Sequence, residues 1–179
     1  MRRNTSKIGF VLSIVALAVC SVQATTAHAQ EWHRDQALMA DLSPLNQVPA
    51  EFASGRGNFE AELKDDGSLS FSLTYFDMSS SVVQAHIHFG ASKTNGGVMV
   101  FLCGGPKPAC PVSGTVTGTI TPSDVSVLPA SNPDSVIPQG VAPGNFNAFV
   151  TAIRGGNAYV NVHTSDFPNG EIRGQVKVR

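Results

Sequence analysis

The 179-residue chain is poor in the features that mark several functional classes. Charged residues make up only 14% of it, with 12 Lys and Arg against 13 Asp and Glu. No basic stripe is present, which excludes a surface built to neutralise nucleic-acid phosphates. Apolar runs long enough to span a bilayer, about 20 residues, are also missing. The longest is Ile8 to Val19. There is no G-x-S-x-G elbow, no phosphate-cradling glycine loop and no dinucleotide fingerprint. His163, Ser165 and Asp166 supply the residue types of a hydrolase triad. Neighbours at one strand end diverge, however, and cannot make the successive hydrogen bonds of that chemistry. The sequence therefore points away from an enzyme and names no reaction.

What is present begins with an address. Arg2, Arg3 and Lys7 precede the apolar run, and Ala27-His28-Ala29 ends it with small residues at the two positions a signal peptidase reads. Residues 1–29 are read as a cleaved secretory signal peptide, which implies a secreted or periplasmic protein. Val19 before Cys20 fits a lipoprotein cleavage site poorly. Residues 30–37 are read as a flexible leader and 38–179 as one domain. Without Arg2, Arg3 and Lys7, nine basic residues face 13 acidic ones, a net charge of −4 with neutral histidines.

Loss of Cys20 leaves Cys103 and Cys110 in CGGPKPAC. In an oxidising compartment this pair is most simply a disulfide; the spacing is not that of a C-x-x-C redox or metal motif.

Period-two alternation dominates the remainder. Asn58 to Leu63 and Leu69 to Tyr75 flank an Asp- and Gly-rich turn and read as a hairpin. Further strands are expected at Val82 to Phe89, Gly97 to Leu102, Ser113 to Thr121, Ala158 to Thr164 and Glu171 to Val178. Thr121 to Gly144 lacks periodicity and reads as an irregular excursion. Phe146, Phe149, Val150 and Ile153 fall on one helical face, with Asn145 as N-cap and Gly155 as stop. The expectation is an all-β fold, an antiparallel β-sandwich or barrel of seven or eight strands with one short helix before the last hairpin.

NAYVNVHTSDFPNGEIRGQV resembles the closing signature of the CHRD (chordin-type) domain. LSPLNQVPAEFASGRGNFEAELKDDGSLSFSLTY resembles its opening strands, and QAHIHFGASKTNGGVMVFL its central His-containing segment. The resemblance runs from about Leu38 to Val178 and departs only at the cysteine loop and at Ser123 to Gly144. It implies a single extracytoplasmic β-sandwich and brings no settled activity. The first function to expect of the chain, with no reaction named, is that of an exported binding or interaction module of the cell envelope or extracellular space, whose partner is a protein or a matrix component.

The histidines carry a second expectation. In QAHIHFG, His86 and His88 project to one side of the strand, opposite Ala85, Ile87 and Phe89. Tyr159, Asn161 and His163 likewise share a face opposite Ala158, Val160 and Val162. Three imidazoles from two strands are the smallest protein set for a metal site with an open position, and neutral imidazole suits copper and zinc. His86, His88 and His163 are thus the candidate ligands of a mononuclear Cu(II) or Zn(II) site for sequestration or redox chemistry. Glu171 and Asp166 are candidate partners for orienting an imidazole. The competing reading is a hydrogen-bonded histidine cluster with no metal. The alternation of Glu171, Arg173, Gln175 and Lys177 reads as an outward strand face carrying a Glu/Arg pair.

Overall fold

The structure is a computed structural model and describes residues 36–179. The signal segment, Cys20 and the leader as far as residue 35 lie outside the described residues.

Local sequence sets the first sheet. The turn Lys64 to Ser68 closes on Lys64 N–H donating to Ser68 O at 2.8 Å, with Gly67 at φ 77°. That joins β2 (Arg56–Leu63) to β3 (Leu69–Phe76) with Leu63 opposite Leu69, the hairpin expected from alternation. β1 (Gln36–Leu42) pairs with β2, and β6 (Gly114–Ile120) pairs with β3. Gln36 and Ala37 pair with Leu63 and Glu62, so two residues expected in the leader belong to the first strand.

The second sheet is built around β4 (Val82–Phe89). It lies between β5 (Val98–Cys103) and β7 (Ala158–Thr164), with β8 (Ile172–Gln175) beyond β7. All strand pairings are antiparallel. The closing segment is not the single strand Glu171 to Val178 expected from its alternation. It breaks at buried Val176, and β9 (Lys177–Val178) joins β1 in the other sheet. One segment thereby stitches the two layers together.

The core fills the space between the layers. Leu38, Phe59, Leu69, Leu73 and Tyr75 from the first sheet meet Ala85, Ile87, Val160, Val162 and Ile172 from the second. Each fully buried Leu or Ile contributes about 1.5–3 kcal/mol relative to exposure. One helix, α1 (Phe146–Arg154), adds Phe149, Val150 and Ile153, with Asn145 Oδ1 accepting from Ala148 N–H at its start. The excursion before it is less loose than its composition implies. It contains two short 3-10 turns and contributes Val125, Val136 and Val141 to the core. The Cys103–Cys110 disulfide is formed. Among the described residues no helix is long and apolar enough to cross a membrane.

Candidate metal centre

Strand register explains why the histidines meet. β4 and β7 are direct neighbours, with His86 opposite Asn161, His88 opposite Tyr159 and Gln84 opposite His163. His86 and His163 are therefore diagonal cross-strand neighbours on the face turned away from the core, within reach of long side chains. His86 Nδ1 lies 3.2 Å from His163 Nε2. Taking one nitrogen from each of His86, His88 and His163, the three atoms lie within 4.8 Å of one another.

The face was correctly read as the non-core face, but it is not a solvated surface. His86, His88 and His163 are only 3%, 8% and 7% exposed. The cover comes from distant loops. Ser43 exchanges backbone hydrogen bonds with Arg173, which draws the segment after β1 across the sheet. Gln47 Nε2 from that segment donates to Asn161 Oδ1 at 2.6 Å. The turn after β7 closes another side, where a Cβ on Gly170 would collide with the Asn161 side chain. Phe101 on β5 packs edge-on against His86, with ring centroids 4.4 Å apart.

Backbone carbonyls set the protonation of two rings, because a carbonyl can only accept. His163 Nδ1–H donates to Pro168 O at 2.9 Å, and His88 Nδ1–H donates to Gly96 O at 2.9 Å. Nε2 of each ring then carries the lone pair. His86 Nδ1–H faces the His163 Nε2 lone pair, so His86 Nε2 carries a lone pair too. Among the described residues, His86 Nε2 and His88 Nε2 are buried and have no hydrogen-bond partner. An unsatisfied buried acceptor costs about 1–3 kcal/mol.

Electrostatics keeps the rings neutral. Burial, reinforced by the His163 and His88 imidazoles, pushes His86 down to about 2. Burial pushes His88 down to about 3, with the neighbouring His163 and Arg173 acting the same way against the Gly96 carbonyl. Burial lowers His163 as well, opposed by the Pro168 carbonyl and by Asp134. Neutral imidazole is the form that binds a metal.

The dimensions are close to those of a coordination sphere. Two imidazole nitrogens on a tetrahedral zinc lie about 3.4 Å apart. The trio, whose nitrogens lie within 4.8 Å of one another, must therefore draw in by up to roughly 1.4 Å to share one ion. On the open side lies a cavity of about 410 Å³ bordered by Gln47, Glu51, Asn95, Asp134 and Asn161. This leaves space for a fourth ligand.

Among the described residues, neither carboxylate hydrogen-bonds to a histidine of the trio. Glu171 is fully buried, and its oxygens accept from Ser79 N–H, Ser79 Oγ–H and Thr164 Oγ1–H at 2.8–3.2 Å. It acts as an anchor for the 79–80 turn. Asp166 is exposed, and its backbone N–H donates to Ser80 Oγ. The orienting groups are instead the carbonyls of Pro168 and Gly96, which alternation cannot reveal. Arg173 is also not an outward-facing residue paired with Glu171. It is 2% exposed, with Cζ 3.4 Å above the Tyr159 ring centroid. Tyr159 and Asn161 were placed on the site's face by their phase with His163. Nothing in the spacing of Gln47 or Gly96 marked them.

A two-layer antiparallel sandwich with a covered histidine trio on one outer face defines the class of protein. The CHRD domain family matches residues 38–176, and the chain belongs to that family. No curated protein and no solved structure matches it.

Proposed function

We propose that this CHRD-domain protein is exported and holds one copper or zinc ion on His86, His88 and His163. The observation that carries the reading is the pair of buried, donor-less lone pairs on His86 Nε2 and His88 Nε2 beside a third neutral imidazole, whose own Nε2 lone pair is taken up by His86 Nδ1–H and must be released for His163 to join the ligand set. A divalent cation answers both lone pairs at once. Copper(II) wins wherever it is available, because imidazole sites follow the Irving–Williams order, with zinc second. The chain's part is to keep the rings neutral, fix two of them by carbonyl hydrogen bonds and exclude bulk water. The open side toward the cavity suits sequestration or one-electron redox chemistry, in which a bound copper would alternate between Cu(II) and Cu(I), taking its electron from an external donor and passing it to an external acceptor.

Export is supported by the basic, apolar and small-residue pattern of residues 2–29 and by the formed disulfide. Sequencing the N-terminus of protein recovered outside the cytoplasm is expected to begin at Gln30. The metal reading is tested by analysing the purified mature protein equilibrated with copper or zinc. About one equivalent per chain is expected, lost in H86A/H88A/H163A. A wild-type protein that binds neither metal, with unfolding unmoved by either, overturns it.

A binding-module reading rests on a separate observation. Leu45 and Phe52, on the loop after β1, are 69% and 99% exposed. Large apolar side chains so exposed fit a contact with an envelope or matrix protein. Loss of retention on isolated envelopes in L45S/F52S, with metal content intact, is the outcome that reading requires.

A further inference from the structure

We infer that Arg173 is a positioning residue for His88, acting through a stack of guanidinium, phenol and imidazole; this rests on the metal reading of the site. Arg173 on β8, Tyr159 on β7 and His88 on β4 occupy adjacent strands. The Arg173 Cζ lies 3.4 Å above the Tyr159 centroid, and on the other side Tyr159 is stacked on His88 with centroids 4.7 Å apart and planes 3° apart. A guanidinium against one face of a phenol whose ring is parallel to an imidazole forms a three-layer stack, an arrangement that flat arginine suits and lysine does not.

The same guanidinium reaches His88 by a second route. Arg173 Nη1 donates to Asn95 Oδ1 at 3.1 Å, and Nη2 donates to Thr94 O at 2.6 Å and Ala91 O at 3.5 Å. These bonds hold the 91–96 loop against the sheet. Gly96 at the end of that loop provides the carbonyl that accepts from His88 Nδ1–H, and its own N–H donates to Tyr159 Oη at 3.2 Å. Gly96 has no room for a side chain, because a Cβ there would run into Phe89 O. The loop therefore sits in one place, and with it the acceptor that leaves His88 Nε2 as the bare nitrogen. Arg173 fixes the ring plane through the stack and the tautomer through the loop. It also places a permanent positive charge two layers from the site, which opposes the more highly charged state of a bound metal.

Partners of this kind change metal affinity by about 10–100-fold when removed. The experiment is a double-mutant cycle between Arg173 and His88, read as copper(II) affinity. R173Q is expected to weaken binding by about tenfold or more in the wild-type background, the loss of His88 positioning outweighing the relief of charge repulsion, and not to weaken it in H88A, where only the charge effect remains. Y159L removes the middle layer and leaves the Arg173 bonds to the loop; it is expected to weaken binding in the same direction. R173K keeps the charge and loses the flat layer and the fork. It is expected to restore the copper reduction midpoint toward the wild-type value without restoring affinity. A metal-free readout accompanies these. In wild type, the ¹⁵N shifts of His88 are expected to show a protonated Nδ1 and a bare Nε2, giving way to mixed tautomers in R173Q. Equal losses for R173Q in both backgrounds, or unchanged His88 shifts in R173Q, overturn the inference. Absence of copper binding by wild type overturns the metal reading instead, and the His88 shifts then still decide the role of Arg173.

Discussion

Glu171 and Gly96 show how much a single side chain, or the lack of one, holds at this site. The buried Glu171 carboxylate accepts from Ser79 and Thr164. Glu171→Gln turns one acceptor into an NH₂ facing those donors. A loss of about 1–3 kcal/mol in unfolding free energy is expected, measured by urea denaturation, with metal content unchanged because no histidine shares those bonds. Gly96→Ala is the opposite case, since its Cβ collides with Phe89 O and the loop must move. His88 then loses its carbonyl partner, and copper affinity is expected to fall about tenfold with a smaller change in stability, read by titration and by thermal melting. Alternation in QAHIHFG and AYVNVH was enough to place three histidines on one face. Their burial was illegible, because the covering groups come from residues 43–51 and 91–96 and the 168–170 turn, joined to the face by hydrogen bonds rather than by periodicity. The carbonyls of Gly96 and Pro168, which accept from His88 and His163, escape a sequence reading for the same reason: every residue carries one.

At the level of elements, the segments with clean period-two alternation were legible, and α1 was set by its 3.6-residue apolar spacing. Two features were not. The break between β8 and β9 falls at Val176 within an unbroken alternation, so the switch of sheets is decided by which neighbour remains unpaired. The excursion at 121–144 buries Val125, Val136 and Val141 as isolated residues, too sparse to show a period. The disulfide was readable from compartment and count, and its loop spans seven positions from Cys103 to Cys110. It tethers the end of β5 to the segment leading into β6, where Tyr75 Oη–H also donates to Pro111 O at 2.6 Å. Cys103→Ser with Cys110→Ser is expected to lower unfolding free energy by about 2.5 kcal/mol on the chain-entropy account. The denaturation midpoint should fall with the slope nearly unchanged. Copper stoichiometry should be retained, since the tether lies away from the cavity-facing loops.

For the whole molecule, the histidine trio couples stability to pH in a direction that burial dictates. In the metal-free protein His86 and His88 are depressed to about 2 and about 3, and His163 is lowered, all from burial first. The unfolded chain takes up these protons near the ordinary histidine value of about 6.5. Below that pH the unfolded state binds more protons than the folded one, so unfolding free energy falls as pH falls. The stabilisation is fully present above about 6.5 and is lost progressively toward pH 3, at up to about 1.4 kcal/mol per pH unit for each histidine. Asp66 and Asp124 are also lowered, Asp66 by its hydrogen bonds to Ser68 and Asp124 by Lys107 and Thr121 against a burial effect that raises it. Unfolded carboxylates take up protons near pH 4, so the window from 6.5 to about 4.5 belongs to the histidines. Urea unfolding in the presence of a chelator is expected to show a steep decline from pH 7 to pH 5 in wild type and a shallow one in H86Q/H88Q/H163Q. A flat wild-type profile would mean that the folded protein protonates its rings freely and would overturn the neutral-ring account of the site. Adding copper at pH 7 should raise the midpoint by mass action on the folded state. The gain should shrink as the pH is lowered, since protons compete with the ion for the same lone pairs.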